Sequence, residues 1–196
     1  MRRPVDQLRG DCRAAVLAEV AVTGLARLTV EGIARRAAAA KTSIYRHWAS
    51  PDALLIDALA TAYPREEITV EGGQLRTDLL RSLEQLTRWL SGPAAPAVAA
   101  ILAERRRRPD LVDALYREVF DIHGSRFTQT VIEHYAACGE IDPRRVTPVV
   151  CDIGEALVIK HQIDTGDLPG DIALAAIVDQ AILPALGFPT MLEGDT

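Results

Sequence analysis

Apolar residues recur at helical spacing along almost the whole chain, and no strand-like alternation runs beyond a few residues. The pattern predicts an all-α protein of nine helices. The first spans about residues 5–22, with Cys12, Ala15, Val16 and Val20 inward and Gly24 just past its end. Thr29 is placed to cap a short helix over 30–37, where Val30, Ile33, Ala34 and Ala37 keep the i, i+3, i+4, i+7 spacing. Another short helix falls on 41–48. Ser50, Pro51 and Asp52 then read as cap, first turn and favourable dipole charge of a helix that stops before Pro64. "PREEITVEGG" (64–73) carries proline, charge and a glycine pair, so it reads as a connection. Helices follow over about 75–91, 95–107, 110–137, 144–165 and 170–187; the last three stop at Gly139, Gly166 and Gly187. The division is a head over 1–63, containing a three-helix unit, and a helical-bundle body over 74–196.

The stretch "AAAAKTSIYRHW" (37–48) raises the question of one helix or two. Stepping about 100° per residue from Val30, Ile33, Ala34 and Ala37 fall near 300°, 40° and 340°. Ile44 and Trp48 fall near 320° and 0° on the same continuous helix, so phase does not decide. Alanine is the best helix former, so propensity favours one helix. If a separate helix covers Lys41–Trp48, Ala40, Ile44 and Trp48 share one face. Thr42, Ser43 and Arg46 lie opposite, with Tyr45 and His47 on the flanks. Eight residues at 1.5 Å rise make about 12 Å, the width of the B-DNA major groove. Hydroxyls and a guanidinium read base edges there, and flanking Tyr and His suit backbone phosphates. That geometry is a helix-turn-helix with the second helix as reader.

Charge sharpens this reading. The net charge is −5, yet residues 1–50 hold nine Arg/Lys against four Asp/Glu. A basic head on an acidic body points to a polyanion at the head alone. Hydrophobic residues at 48 % and charged residues at 25 % are ordinary for a globular protein. No uncharged apolar run approaches the roughly 18 residues of a membrane span. The N-terminus has no apolar core of a secretory signal. Cys12, Cys138 and Cys151 are odd in number and widely spaced, which suggests buried thiols in a reducing cytoplasm.

Residues 28–59, "LTVEGIARRAAAAKTSIYRHWASPDALLIDAL", resemble the DNA-binding signature of the tetracycline-repressor (TetR) family. Thr29, Ile33, Ala34, Ala37, Ile44, Tyr45, His47, Trp48, Ser50 and Leu54 match in type and spacing over three helices. The resemblance implies two helices with the turn among the alanines, and DNA contacts from Thr29, Lys41, Thr42, Ser43, Tyr45, Arg46 and His47. There are departures. The family's Gly-Val-Ser turn is Ala38, Ala39 and Ala40 here. A left-handed alanine costs about 1 kcal/mol or more, and loss of a serine cap a further 0.5–2 kcal/mol or so. Pro51 stands where the family often has a phosphate-binding lysine at the start of the fourth helix; Arg2, Arg3, Arg35, Arg36 and Arg46 are candidate substitutes.

By the same resemblance the body binds a small-molecule effector and pairs into a homodimer that spans two half-sites of duplex DNA. Val149, Val150, Ile153, Leu157, Ile172, Ala176, Ile182 and Leu183 are candidates for a four-helix seam. Trp89, Tyr116, Phe120, His123, Phe127 and Glu155 are candidates for the effector site, with Asp152 a second carboxylate on the same helix. His134 and Cys138 at i and i+4 are too few for a metal site, and no cofactor is implied. "ERRRRP" (104–109) reads as a solvated cluster capping a helix C-terminus. The chain offers no nucleophile setting, phosphate-cradling glycine loop or metal quartet, so an enzyme is disfavoured. A ligand-responsive repressor is the leading expectation; the alternative is a sensor or partner-binding relative with weak or lost DNA binding.

Overall fold

The computed structural model describes residues 4–64, 74–121 and 127–190. Every regular element among them is helical: α1 (Val5–Thr23), α2 (Val30–Arg36), α3 (Lys41–Tyr45), α4 (Pro51–Ala62), α5 (Leu75–Leu90), α6 (Ala95–Ala103), α7 (Pro109–Leu115), α8 (Phe127–Ala137), α9 (Pro148–Thr165) and α10 (Asp171–Ile177). α7 runs on into a π-helical turn, Tyr116–Phe120. α10 does the same at Val178–Ile182 before finishing as Leu183–Leu186.

The chain folds as two compact units, Met1–Tyr63 with Gly92–His123, and Pro64–Ser91 with Gly124–Thr196. In the first, α1 packs on α2, α4 and α6, α2 packs on α3, and α4 packs on α7 and its π turn. Val16, Val20, Leu25, Ile33, Ile44, Leu54, Leu55, Leu59, Ile101 and Leu115 fill this core. One charge is buried with them. Glu19 of α1 is 3 % exposed and accepts a hydrogen bond from Arg36 Nε of α2 at 3.0 Å. Gly32 faces that carboxylate so closely that any Cβ would collide with it, which explains a glycine inside α2.

In the second unit α5 packs on α8, α9 and α10, α8 on α9, and α9 on the π turn of α10. Leu79, Leu83, Ile132, Tyr135, Val158, Val178 and Ile182 are buried there. Asp78, 4 % exposed, accepts from Tyr135 Oη at 2.7 Å and pairs with Arg81 at 3.3 Å. Burial first, then the Asp78 carboxylate, pushes the Tyr135 phenol up to about 12. Arg76 donates twice to Asp179, at 2.6 and 2.7 Å. Gly154 lets α9 approach its neighbours: a Cβ there would lie 2.7 Å from Thr128 and 3.0 Å from Leu83. Thr128 Oγ1 donates to the Cys151 carbonyl at 3.0 Å across the same gap.

Several expectations change. The single helix over 110–137 is described as two, α7 and α8, which makes ten helices where nine were expected. Phe127 has φ 29°, and a right-handed helix does not run through a left-handed residue. The helix over 95–107 stops at Ala103, and residues 104–107 form a turn, as four adjacent arginines before Pro109 repel one another and resist helix. Cys138 is exposed while Cys12 and Cys151 are buried, because Cys138 lies beyond the end of α8. Of the connection over 64–73 only Pro64 is described, since residues 65–73 lie outside the described residues, as do Arg2, Arg3 and His123. Among the described residues no helix is long and apolar enough to cross a membrane.

Gly154→Ala is expected to destabilise the protein by about 1–3 kcal/mol through overpacking against Thr128 and Leu83. Urea denaturation followed by circular dichroism measures it.

Candidate nucleic-acid interface

α2 begins at Thr29, whose Oγ1 accepts from Gly32 N at 3.1 Å. It ends at a turn made wholly of alanine. Ala38 N donates to Arg35 O at 3.3 Å and Ala39 N to Ala34 O at 2.9 Å, the paired bonds of a Schellman motif. The residue between cap and exit is Ala38, with φ 47°. That is the left-handed region where a Cβ costs about 1 kcal/mol or more. Ala40 then caps α3 in extended geometry with no side-chain hydrogen bond. So the chain makes two helices here, and does so without the glycine and serine that ease such a turn.

The helix expected over 41–48 ends at Tyr45, and burial of Ile44 on α3 and of Trp48 three residues past its end holds it in place. Ile44 is 1 % and Trp48 8 % exposed. The Trp48 indole Nε1 donates to Asp57 Oδ2 of α4 at 2.8 Å, and Arg13 of α1 donates to both Asp57 oxygens at 2.8 and 3.2 Å. Burial would raise the Asp57 pKa, but the bonds from Arg13 and Trp48 outweigh it and hold the carboxyl below its ordinary value. On the outer face Thr42, Tyr45 and Arg46 are exposed, and Ser43 and His47 are half-buried. Lys41 pairs with Glu31 of α2 at 2.7 Å. That hydrogen bond lowers the Glu31 pKa and raises that of Lys41. Arg9 of α1 reaches His47, with Nη2 3.3 Å from Nδ1.

The arrangement is a helix-turn-helix in which the second helix and the turn after it leave Thr42, Tyr45 and Arg46 exposed. Two family models cover the chain. One, described as bacterial regulatory proteins of the tetR family, matches residues 14–58, and the tetracyclin repressor-like C-terminal domain matches 69–181. The chain belongs to the TetR family. It is 31 % identical over 83 % of its length, and 80 % of the relative's, to an uncharacterised HTH-type transcriptional regulator of Mycobacterium tuberculosis. It is 28 % identical to a DNA-binding transcriptional repressor, TetR, of Mycobacteroides abscessus, covering 89 % of this chain and 94 % of that one. The fold matches the crystal structure of a TetR-family regulator from Pseudomonas syringae with a TM-score of 0.62 at 19 % identity, covering 93 % of this chain and 96 % of that one. The protein is a TetR-family transcriptional regulator with a helix-turn-helix DNA-binding domain.

Of the candidate substitutes for the lysine often found at the family's fourth helix, Arg36 pairs with Glu19 at 3.0 Å and Arg35 is 80 % exposed. Arg9, Arg13 and Asp57 entered the site without a local signal in the sequence. Arg9 and Arg13, at i and i+4, do lie off the Cys12–Val16–Val20 stripe, but their partners are 38 and 44 residues away.

Each unit holds effector candidates of its own. Tyr116 and Phe120 belong to the first unit, where the Phe120 ring meets Tyr63 at a tilt and Tyr116 edge-on, at ring-centroid distances of 5.4 Å each. Trp89 and Phe127 meet in the second unit at 6.5 Å; Glu155 is half-buried and Asp152 exposed on α9. Of the seam candidates, Val149, Leu157 and Ile172 are exposed and Val150, Ile153 and Ala176 half-buried. Ile182 and Leu183 are buried within the second unit, where the π turn of α10 packs on α9 and α5. Ile159 and Ile163 are further exposed apolar positions on α9.

Ala38→Gly with Ala40→Ser is expected to raise stability by about 1–2 kcal/mol, by relieving the left-handed alanine and capping α3; thermal denaturation reads it. Asp57 also gives the head a pH signature. A carboxyl whose folded pKa is depressed stabilises above its unfolded value, near 3.9, and loses that contribution as pH falls through the folded value. Urea midpoints from pH 6 down to about 2.5 should fall less steeply in Asp57→Asn than in the parent.

Proposed function

We propose that the protein is a ligand-responsive, dimeric transcriptional repressor that binds a palindromic operator and has no catalytic activity. The observation that carries this reading is the split of α3 and the turn that follows it, with Ile44 and Trp48 buried and Thr42, Tyr45 and Arg46 exposed. Thr42, Ser43 and Arg46 read base edges; Thr29, Lys41, Tyr45 and His47 bind the flanking phosphates. Residues 1–63 act as the DNA-binding domain and 74–196 as the effector-binding and dimerisation domain.

One short reader helix supplies little affinity, so two heads related by a two-fold axis take adjacent half-sites about 34–36 Å apart. Exposed Val149, Leu157, Ile159, Ile163 and Ile172 on α9 and α10 support a homodimer seam there. The repressor role rests on the name of the Mycobacteroides abscessus relative. An effector held in the body, against Trp89, Phe127 and Glu155, favours the head spacing that does not fit DNA, and it does so through unequal affinity for the two states. The protein works in the cytoplasm, where its three thiols stay reduced.

A second reading has specific support. The left-handed Ala38, the uncapped Ala40 and the Lys41–Glu31 pair all weaken the presentation of α3. In that reading the protein senses a ligand or protein partner, and DNA binding is weak or lost.

Selection from random duplexes should enrich a palindromic site in the first reading and none in the second. On the enriched site Arg46→Ala and Tyr45→Phe are expected to lower affinity by about tenfold or more, with the helical circular dichroism unchanged. Affinity of the parent should fall steeply as salt rises.

A further inference from the structure

The reader helix has a polar cleft on its flank. Arg9, Arg13, His47, Trp48 and Asp57 line an open space of about 260 Å³. Two of its walls are committed. Asp57 accepts from Arg13 Nε, Arg13 Nη2 and Trp48 Nε1, so its charge is engaged on three sides. The other wall is Arg9 against His47, with Nη2 3.3 Å from Nδ1. Arginine only donates, so Nδ1 accepts, and the ring proton then sits on Nε2. Arg9 thus selects the tautomer in which His47 carries a second donor, while keeping its own unused N–H groups. Two guanidinium groups against one carboxylate leave the cleft cationic.

We infer that Arg9 and His47 together form a seat for one DNA phosphodiester beside the groove that α3 enters, Arg9 serving both as a phosphate contact and as the positioning residue for the imidazole. The inference rests on the reading of α3 as a DNA reader and extends it to α1. A phosphate fits the chemistry better than a base edge. The seat offers donors and positive charge and, with Asp57 saturated, little acceptor capacity. A guanidinium also forks two N–H groups onto one phosphate, which a lone lysine does not. The seat supplies a cation to the head where Pro51 stands in place of the lysine. It is braced, because Trp48, next to His47, is anchored by the same Asp57 that Arg13 clamps.

The test uses the full-length protein, the enriched palindromic duplex and a scrambled duplex of equal length. A phosphate seat carries no sequence information, so Arg9→Ala is expected to weaken both duplexes by the same factor, about five- to tenfold, and to lower the slope of log affinity against log salt by about one. Arg9→Lys should keep that slope. Arg9→Ala should also shift the His47 ring nitrogen signals in NMR of the free protein, as the selected tautomer is lost. In the double variant Arg9→Ala/His47→Ala the losses should be less than additive, since the two groups act on one phosphate. If Arg46→Ala weakens the palindromic duplex while Arg9→Ala changes neither affinity nor salt slope, the seat is overturned and the reader stands. A loss in Arg9→Ala confined to the palindromic duplex overturns it too, because that marks a base contact. If the parent enriches no duplex, the DNA reader fails and the seat falls with it.

Discussion

A helix of five residues has no stability of its own, since isolated helices shorter than about 12–15 residues are marginal in water. α3 therefore depends on what anchors it from below. Ile44 and Trp48 supply the apolar hold, and the indole N–H ends on Asp57, which Arg13 grips from α1. Three helices thus converge on one carboxylate. The exposed residues of α3 have fixed positions only because this hidden side does. The same anchor explains how an alanine at φ 47° and an uncapped start are tolerated: burial of two large side chains, about 1.5–3 kcal/mol each, exceeds the local cost.

Buried charge recurs as a way of fixing geometry elsewhere. Glu19 locks α1 to α2 through Arg36, and a Cβ at residue 32 would displace the Glu19 carboxylate from where it sits. In the second unit Asp78 holds Tyr135, and Arg76 holds Asp179 on the π turn of α10. Each of these carboxylates accepts hydrogen bonds and has an arginine beside it, Arg81 in the case of Asp78, which is what makes a carboxylate tolerable away from water. In the first unit, the elements packed against the head include α6 and α7, which follow α5 in the chain. Packing units here interleave along the sequence rather than following it end to end.

The helical class, the caps at Thr29 and Ser50, and the inward residues Cys12, Val16, Val20, Ile33, Ile44 and Trp48 were legible because each rests on local spacing and cap chemistry. The turn at Ala38–Ala40 was not legible from propensity or phase, and became so only through resemblance over residues 28–59. Arg9, Arg13 and Asp57 were not legible at all. Nothing in the sequence near Arg9 announces a histidine on another helix.

By itself, then, the sequence determined what depends on nearest neighbours along the chain: which residues are helical, where most helices start and stop, and which face of the reader is apolar. Only the tertiary structure decided what depends on contacts across tens of residues. It bent the chain at Ala38, with Ile33 and Ile44 both buried on either side of the turn. It sank Ile182 and Leu183 inward through a π turn, and it brought Arg9 to His47. A period of 3.6 residues specifies a face, but the partner of that face is set by packing, which no local pattern encodes.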